Sequence, residues 1–143
     1  MKKTFGIIML TFLINNLSWA IDYNANEYND RYALGLKVGS DSSLNFRMPF
    51  RKFDFIQTDV HSLGDGVEFS ATYNTYLKPW KDFDPYVGAG IHIDSEGSSG
   101  LRLPVGLNYK LEDRPALLYT EISGDINDKG VNVNFHVGAN YLF

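Results

Sequence analysis

Residues 131–143 read Val-Asn-Val-Asn-Phe-His-Val-Gly-Ala-Asn-Tyr-Leu-Phe, and this stretch decides the fold class. Every odd-numbered position from Val131 to Phe143 holds an apolar residue, seven in all, whereas Asn, His and Gly fill most of the positions between them. Successive side chains of a β-strand point to opposite faces, while a helix returns to the same face about every 3.6 residues. The stretch therefore predicts a strand with one apolar and one polar face.

The same alternation occurs in seven earlier segments, which cover residues 32–38, 44–50, 53–61, 67–77, 87–93, 101–111 and 118–122. In the third segment the period slips near Phe55 and Ile56, which predicts a β-bulge there. Polar connections of about hairpin length separate the segments, so neighbouring strands should pair antiparallel in chain order. Eight such strands can close into an up-and-down barrel that has no free edge.

The start of the chain differs from the rest. An almost unbroken apolar run, Phe5–Leu13, follows two lysines and leads to the small residues Ser18 and Ala20, at the positions that a signal peptidase reads. The run is too short for a membrane-spanning helix, which needs about 20 apolar residues. We predict a cleaved secretory signal over residues 1–20, a polar lead-in over 21–30 and the barrel over 31–143.

Composition excludes several functional classes. The chain has no cysteine, which excludes a disulfide scaffold, a zinc–thiolate site and a cysteine nucleophile. Its formal net charge is −4 and it has no basic cluster, which argues against a nucleic-acid partner. We therefore expect an exported protein without thiol chemistry, and no residue pattern calls for a cofactor.

Alternation alone does not say which face of the strands is buried. In a soluble lipocalin-like carrier the apolar face lines a ligand pocket, whereas in a membrane barrel it meets lipid and the polar face lines the lumen. Here the polar face is rich in Gly and Asn, which suit a narrow lumen better than a water-facing surface. At about 3.3 Å per residue and a tilt near 40°, the longer apolar faces span the roughly 25 Å apolar band of an outer-membrane barrel. We predict an all-β, eight-stranded antiparallel transmembrane barrel, with the lipocalin-like carrier as the alternative.

Aromatic residues mark one level of the predicted barrel. If both chain ends lie in the periplasm, the connections near residues 51, 79 and 112 lie there too, and nearby aromatic side chains should form an interfacial girdle. The predicted girdle comprises Phe50, Trp80, Phe83, Tyr86, Tyr109 and Tyr141, together with Phe53, Tyr76 and Phe143.

The end of the last strand and one internal segment resemble a known group of proteins. The alternating residues Phe135, Val137, Ala139, Tyr141 and Phe143 resemble the signal by which the outer-membrane assembly machinery recognises its substrates. Asp84-Pro85-Tyr86-Val87-Gly88-Ala89-Gly90 resembles a segment common in small eight-stranded outer-membrane proteins, the superfamily of the OmpA barrel, OmpX and the opacity-type antigens. The resemblance implies a place in the outer membrane of a Gram-negative bacterium, with lipopolysaccharide, phospholipid and the assembly machinery as partners. The loops here are short, so the adhesive role of relatives with long loops is not expected.

Polar residues on the lumen face are candidates for ion pairs, because an unpaired buried charge costs several kcal/mol. The predicted network comprises Arg47, Asp59, Glu68, Asp94, Arg102, Glu121 and His136. Pairing across the turns predicts Asp94 opposite Arg102, Arg47 near Gln57, Asp59 and Glu68, and Glu121 opposite Gly106 and diagonal to His136, which has Tyr119 opposite. Arg47, Arg102, Tyr76 and Tyr119 should fill the lumen, so an open pore is not expected.

Catalysis is the other alternative, because some barrels that resemble this one modify lipid A with a serine, a histidine and an acid. The nearest local arrangement is His61-Ser62 beside Asp59, but adjacent strand residues point to opposite faces, and the His-x-Ser spacing of lipid A deacylases is missing. His92 and His136 lie on strands far apart and lack a further ligand. We therefore expect neither an enzyme nor a metal site, but a structural or interactive role in the outer membrane.

Overall fold

The computed structural model describes residues 30–62 and 64–143, which form a closed barrel of eight antiparallel strands. The strands are β1 (Ala33–Gly39), β2 (Ser42–Arg51), β3 (Asp54–Ser62), β4 (Val67–Tyr76), β5 (Phe83–Asp94), β6 (Ser99–Lys110), β7 (Ala116–Asn127) and β8 (Gly130–Leu142). Each strand pairs with its neighbours in chain order, and β8 pairs with β1 to close the barrel. The predicted fold class is confirmed. The predicted signal sequence, and residues 21–29 of the predicted lead-in, lie outside the described residues.

The polar face of the strands lines the lumen. In β4, Glu68, Ser70, Thr72 and Asn74 are buried, whereas Phe69, between the first two of them, is 60% exposed. Every strand contributes outward-facing apolar side chains, among them Leu36, Leu44, Val60, Phe69, Ile91, Val105, Ile122 and Phe135. This outward apolar face and the polar lumen are the arrangement of a membrane barrel, not of a carrier with an apolar pocket. Across residues 30–62 and 64–143, we find no helix with the length and apolar character needed to cross a membrane.

The connections divide between the two ends of the barrel. The β1–β2, β3–β4, β5–β6 and β7–β8 connections lie at one end, here called the turn end. The other three connections lie at the opposite end together with the first described residues, 30–32, and with Phe143, and this end is here called the terminal end. There Tyr32 N–H donates to Phe143 O (3.1 Å) and Phe143 N–H donates to Tyr32 O (3.0 Å), which extends the β1–β8 seam.

The sheet irregularity lies in β2 and not in β3. Pro49 is opposite Phe55 and Arg51 is opposite Asp54, so Phe50 is the additional residue. The predicted bulge near Phe55 and Ile56 is therefore wrong. The apparent slip arises because Phe55 is an apolar residue that faces the lumen, in phase with the polar residues that follow it in β3.

Two glycines on the lumen face make room for tyrosine rings. Tyr86 lies opposite Gly106, and Tyr119 lies opposite Gly138. A Cβ atom on either glycine would overlap the ring of its partner. The lumen can therefore hold these large rings because the neighbouring strand has no side chain at that position.

Candidate functional site

The charged side chains of the lumen form the candidate site, and Arg47 occupies its most aromatic part. The Arg47 guanidinium lies 4.2 Å from the ring centre of Tyr119, 5.0 Å from that of Phe55 and 5.1 Å from that of Tyr86. It donates to Asn108 Oδ1 (2.9 Å) and to Tyr86 Oη (3.2 Å). Cation–π contacts and two hydrogen bonds thus hold a fully buried cation in the middle of the barrel.

Lys37 forms a second group with two carboxylates. Its Nζ atom lies 2.9 Å from Glu121 Oε1 and 3.0 Å from Asp59 Oδ2, with the side chains buried. Gln57 Nε2 donates to Glu121 Oε2 (3.0 Å) and to Asp59 Oδ2 (3.1 Å). Tyr86 Oη also donates to Glu121 Oε2 (2.7 Å) and so joins this group to Arg47. Two cations therefore balance two carboxylates in the middle of the lumen.

Arg102 forms a third group, nearer the turn end. Its Nε and Nη2 atoms donate to the two carboxylate oxygens of Asp125 (2.7 and 2.6 Å), and Nη2 also donates to Glu68 Oε1 (2.5 Å). Nη1 donates to His61 Nε2 (2.6 Å). His92 Nδ1 lies 3.1 Å from the other oxygen of Glu68. A bidentate contact of this kind fixes the guanidinium in position.

Asp41, His61 and His136 form the fourth group, here called the Asp41 group. Asp41, in the β1–β2 connection, accepts hydrogen bonds at Oδ1 from His61 Nδ1 (2.8 Å) and His136 Nε2 (2.9 Å). Both histidine side chains are buried, and the side chain of Asp41 is 10% exposed. Burial raises the pKa of Asp41, but hydrogen bonds from His136 and His61 outweigh it and hold the pKa well below its usual range. The carboxylate is therefore ionised at neutral pH.

The predicted Asp94–Arg102 pair does not exist. The β5–β6 connection is tighter than predicted, so Arg102 lies opposite Gly90. Asp94 instead remains in its own turn, where Oδ1 accepts the backbone N–H groups of Glu96 (3.0 Å) and Ser98 (2.8 Å). Pairing of neighbouring strands places Asp125 of β7 directly opposite Arg102. The other partners, Glu68 of β4 and His61 of β3, lie beyond the neighbouring strand β5, so such pairing does not reveal them.

Two other predicted neighbourhoods are partly correct. Arg47 lies opposite Gln57, as predicted, but its guanidinium contacts aromatic rings instead of the predicted carboxylates. Glu121 lies opposite Gly106, as predicted, but His136 is directly opposite it and not diagonal. The residue opposite Tyr119 is Gly138, so the predicted pairing of Tyr119 with His136 is wrong.

The predicted aromatic girdle divides between two faces. Phe50, Trp80 and Tyr141 are more than half exposed on the outer face. Tyr86 and Tyr76 are buried in the lumen, so their assignment to the girdle is wrong. They face inward because the strand alternation gives them the same phase as the lumen residues on β5 and β4. Of the four remaining members, Phe83 and Tyr109 pack together with ring centres 5.6 Å apart, Phe143 is exposed and Phe53 is half-buried. The alternating residues of β8 that were expected to act in assembly face outward, Ala139 included.

The charged network of the lumen also contains Lys37, Asp41 and Asp125, which the sequence analysis did not predict. Lys37 is in phase with the lumen residues of β1, so its alternation carried a signal that was available. Asp41 and Asp125 fall in the connections between the alternating segments, yet Asp125 belongs to β7, and Asp41 contacts His61 from the β1–β2 connection.

Comparison with known proteins identifies the fold. No model of a known protein family and no curated protein matches this sequence. A designed barrel, from a study of de novo transmembrane β-barrels, superposes with a TM-score of 0.67 at 14% identity, over 80% of this chain and 96% of that chain. The N-terminal β-barrel domain of OprF from Pseudomonas aeruginosa superposes with a TM-score of 0.64 at 14% identity, over 79% of this chain and 96% of that chain. The chain has the fold of a small transmembrane β-barrel.

This likeness concerns the fold alone, because the identity is low. It confirms the barrel fold that the resemblance implied. The chemistry of this chain therefore has to be inferred from its own lumen residues.

Proposed function

We propose that this barrel is an integral protein of the bacterial outer membrane with a structural or interactive role, and that its lumen is filled and not an open pore. The observation that carries the proposal is the division of the side chains: apolar residues of every strand face outward, and the ion pairs lie inside. An apolar outer face is stable only against lipid or another apolar surface.

The side chains inside the barrel support a closed lumen. Arg47 reaches rings from three other strands: Phe55 in β3, Tyr86 in β5 and Tyr119 in β7. Towards the terminal end, a cluster of buried residues follows: Ala33, Phe55, Tyr76, Tyr86, Leu117 and Leu142. The cavity beside this cluster has a volume of about 10 Å³, on the order of one water molecule. Such an interior supports exclusion of ions and solutes.

The proposed location rests on the sequence signal and on the outer face together. Residues 1–20 have the pattern of an export signal. We propose that the outer face contacts phospholipid and lipopolysaccharide, and that Phe135, Val137, Ala139, Tyr141 and Phe143 are recognised by the assembly machinery. We propose that the terminal end faces the periplasm, so that the turn end faces the cell exterior.

Geometry in the lumen supports a non-enzymatic role. Asp41, His61 and Ser70 are arranged in the order of a catalytic triad, with Ser70 Oγ 3.4 Å from His61 Nε2. A general base needs a free lone pair at that nitrogen. Here Arg102 Nη1 donates to Nε2 at the shorter distance of 2.6 Å, so the lone pair is already used. Ser62, the serine singled out in the sequence, is exposed while His61 is buried, as opposite faces require.

Electrophoresis of cell fractions tests the proposed architecture in the cell. The full chain is expressed in a Gram-negative host, and the outer-membrane and periplasmic fractions are loaded with and without boiling. Closed barrels stay folded in cold detergent, so we expect a band in the outer-membrane fraction whose mobility changes on heating. A soluble periplasmic protein with no heat-dependent shift would contradict the proposal.

Conductance across a planar bilayer tests the filled lumen. We expect no sustained channel from the purified barrel under conditions in which an added general porin conducts. Steady single-channel steps that scale with the amount of folded barrel would show that the lumen is open.

A further inference from the structure

Three ligand-type side chains from separate parts of the barrel meet at the turn end. Asp41 comes from the β1–β2 connection, His61 from β3 and His136 from β8. One ligand atom of each lies within 4.8 Å of the others. We propose that Asp41, His61 and His136 bind a divalent transition-metal ion of the zinc class. Two imidazoles and a carboxylate are a ligand set that such ions prefer, and water can complete the coordination.

The distances allow the site to form with little movement. Ligands of a tetrahedral zinc ion at about 2.0–2.1 Å lie about 3.3 Å apart. The two histidine nitrogens are 2.8 and 2.9 Å from Asp41 Oδ1. An outward shift of about half an ångström would therefore admit the ion. The centres of the His61 and His136 rings are 5.8 Å apart, and their planes make an angle of 56°.

Charge balance at the turn end supports a cation there. In the middle of the lumen, Lys37 and Arg47 balance Asp59 and Glu121. Towards the turn end, the buried positive charge among the described residues is that of Arg102. Its guanidinium pairs with Glu68 and Asp125, and Asp41 lies close by. With neutral histidines, this half of the lumen carries two more negative charges than positive ones. A divalent ion on the Asp41 group would neutralise that excess, which low-dielectric surroundings make costly.

Ion binding changes which ring nitrogen of each histidine carries the proton. An arginine can only donate, so Arg102 fixes His61 Nε2 as an acceptor and places the ring proton on Nδ1, where it donates to Asp41. Ion binding at Nδ1 moves that proton to Nε2, where Ser70 Oγ can accept it, and the hydrogen bond from Arg102 Nη1 is lost. His136 undergoes the same exchange, from Nε2 to Nδ1. No proton is lost or gained in total.

The connection that carries Asp41 is already fixed against β8. Ser40 N–H donates to Phe135 O (2.9 Å), and Phe135 N–H donates to Ser40 Oγ (3.0 Å). These bonds hold Asp41 beside His136 before any ion arrives. Pre-positioned ligands lower the entropy lost when an ion binds.

Calorimetric titration with Zn²⁺ tests the proposal on the folded full barrel in detergent. We expect one ion per chain, and binding at least about tenfold weaker in His61→Gln, His136→Gln and Asp41→Asn, because each loses a direct ligand. His92→Gln is the matched control: it removes the third histidine of the same lumen, which contacts Glu68 and not the Asp41 group. Its affinity for Zn²⁺ should stay within about twofold of the parent chain.

Titration with Co²⁺ reads the coordination directly, because two imidazoles and a carboxylate around this ion give a visible absorption band that free Co²⁺ lacks. We expect the band in the parent chain and in His92→Gln, and its loss in His136→Gln. Each variant is first shown to be folded by its heat-dependent mobility, and any variant that folds tests the site. No saturable Zn²⁺ uptake by the parent chain would overturn the proposal. So would equal affinity in the folded Asp41→Asn or His136→Gln chain.

Discussion

At the scale of single residues, two conditions decide which side chains the lumen can hold at little cost in free energy. A charge in the lumen requires a partner, because the desolvation of an unpaired ion costs several kcal/mol. Arg102 meets this condition with two carboxylates, and Arg47 meets it with aromatic rings and two hydrogen bonds. A large ring in the lumen likewise requires a glycine opposite it, as for Tyr86 and Tyr119. These two conditions lead to two predictions.

Adding a methyl group to Gly106 should destabilise the barrel. In Gly106→Ala the new Cβ would overlap the Tyr86 ring, so the ring must move away from Glu121. We expect a loss of about 1–3 kcal/mol in the free energy of unfolding, the usual cost of overpacking. Gly124→Ala is the matched control, because a Cβ there meets no atom within 4 Å. The two values come from urea unfolding in lipid vesicles, and equal losses would contradict the role of the Tyr86–Gly106 pair.

Removing the charge of Arg102 should cost less than reversing it. Arg102→Met leaves Glu68 and Asp125 buried without their cation, for which we expect a loss of about 3–5 kcal/mol in the free energy of unfolding. Arg102→Glu adds a third carboxylate and should destabilise further. Lys129→Met, at an exposed turn lysine, controls for loss of a positive charge in general. If the two Arg102 variants unfold at the same urea concentration, the charge of this residue does not stabilise the barrel.

At the scale of elements, each strand has an inward polar face and an outward apolar face, and hydrogen bonds to two neighbours. β1 and β8 are far apart in sequence, so no hairpin connection joins them, and their pairing alone closes the barrel. Tyr32 lies at this seam between two rings, with centres 6.1 Å from both Phe46 and Phe143. The end of β8 therefore stabilises the closure of the barrel.

Truncating Phe143 should lower the amount of assembled barrel. Phe143→Ala removes the ring that stacks on Tyr32 and, under the proposed function, part of the segment that the assembly machinery recognises. Phe69→Ala is a close control, because the two rings are 59% and 60% exposed and Phe69 lies away from the seam. The heat-shifted band in the outer-membrane fraction should weaken several-fold in Phe143→Ala and little in Phe69→Ala. Equal bands in both would show that only general lipid contact matters.

At the scale of the whole molecule, the barrel is asymmetric along its axis. The terminal end holds the buried apolar cluster, the middle holds balanced ion pairs, and the turn end holds an excess of carboxylates with three histidines. Under the proposed orientation, the acidic end faces the cell exterior and the apolar cluster faces the periplasm. A cation could then enter the Asp41 group from outside the cell.

Labelling of single cysteines tests this orientation, because the chain has no cysteine of its own. Glu96→Cys lies in an exposed turn at the turn end, and Asp113→Cys lies in an exposed connection at the terminal end. A membrane-impermeant maleimide added to intact cells should label Glu96→Cys and spare Asp113→Cys, and both should react after lysis. The reverse pattern in intact cells would invert the orientation.

Sequence by itself determined the strands, their antiparallel order and the choice of inner face. The strand period is two, so the apolar residues of β8 could lie on one face only, and Gly and Asn opposite them suited a lumen. Hairpin connections also determined which strands are neighbours, and hence that Glu121 lies opposite Gly106.

Only the tertiary structure decided which lumen side chains meet. Lys37 and Arg102 extend across the lumen to Glu121 and Glu68, which lie on strands that are not their neighbours in sequence, so hairpin register does not give these two pairs. It also decided that Asp41 joins two histidines from β3 and β8. The physical reason is that alternation is a local property of each strand, whereas a contact across the lumen depends on the closure and stagger of the whole barrel.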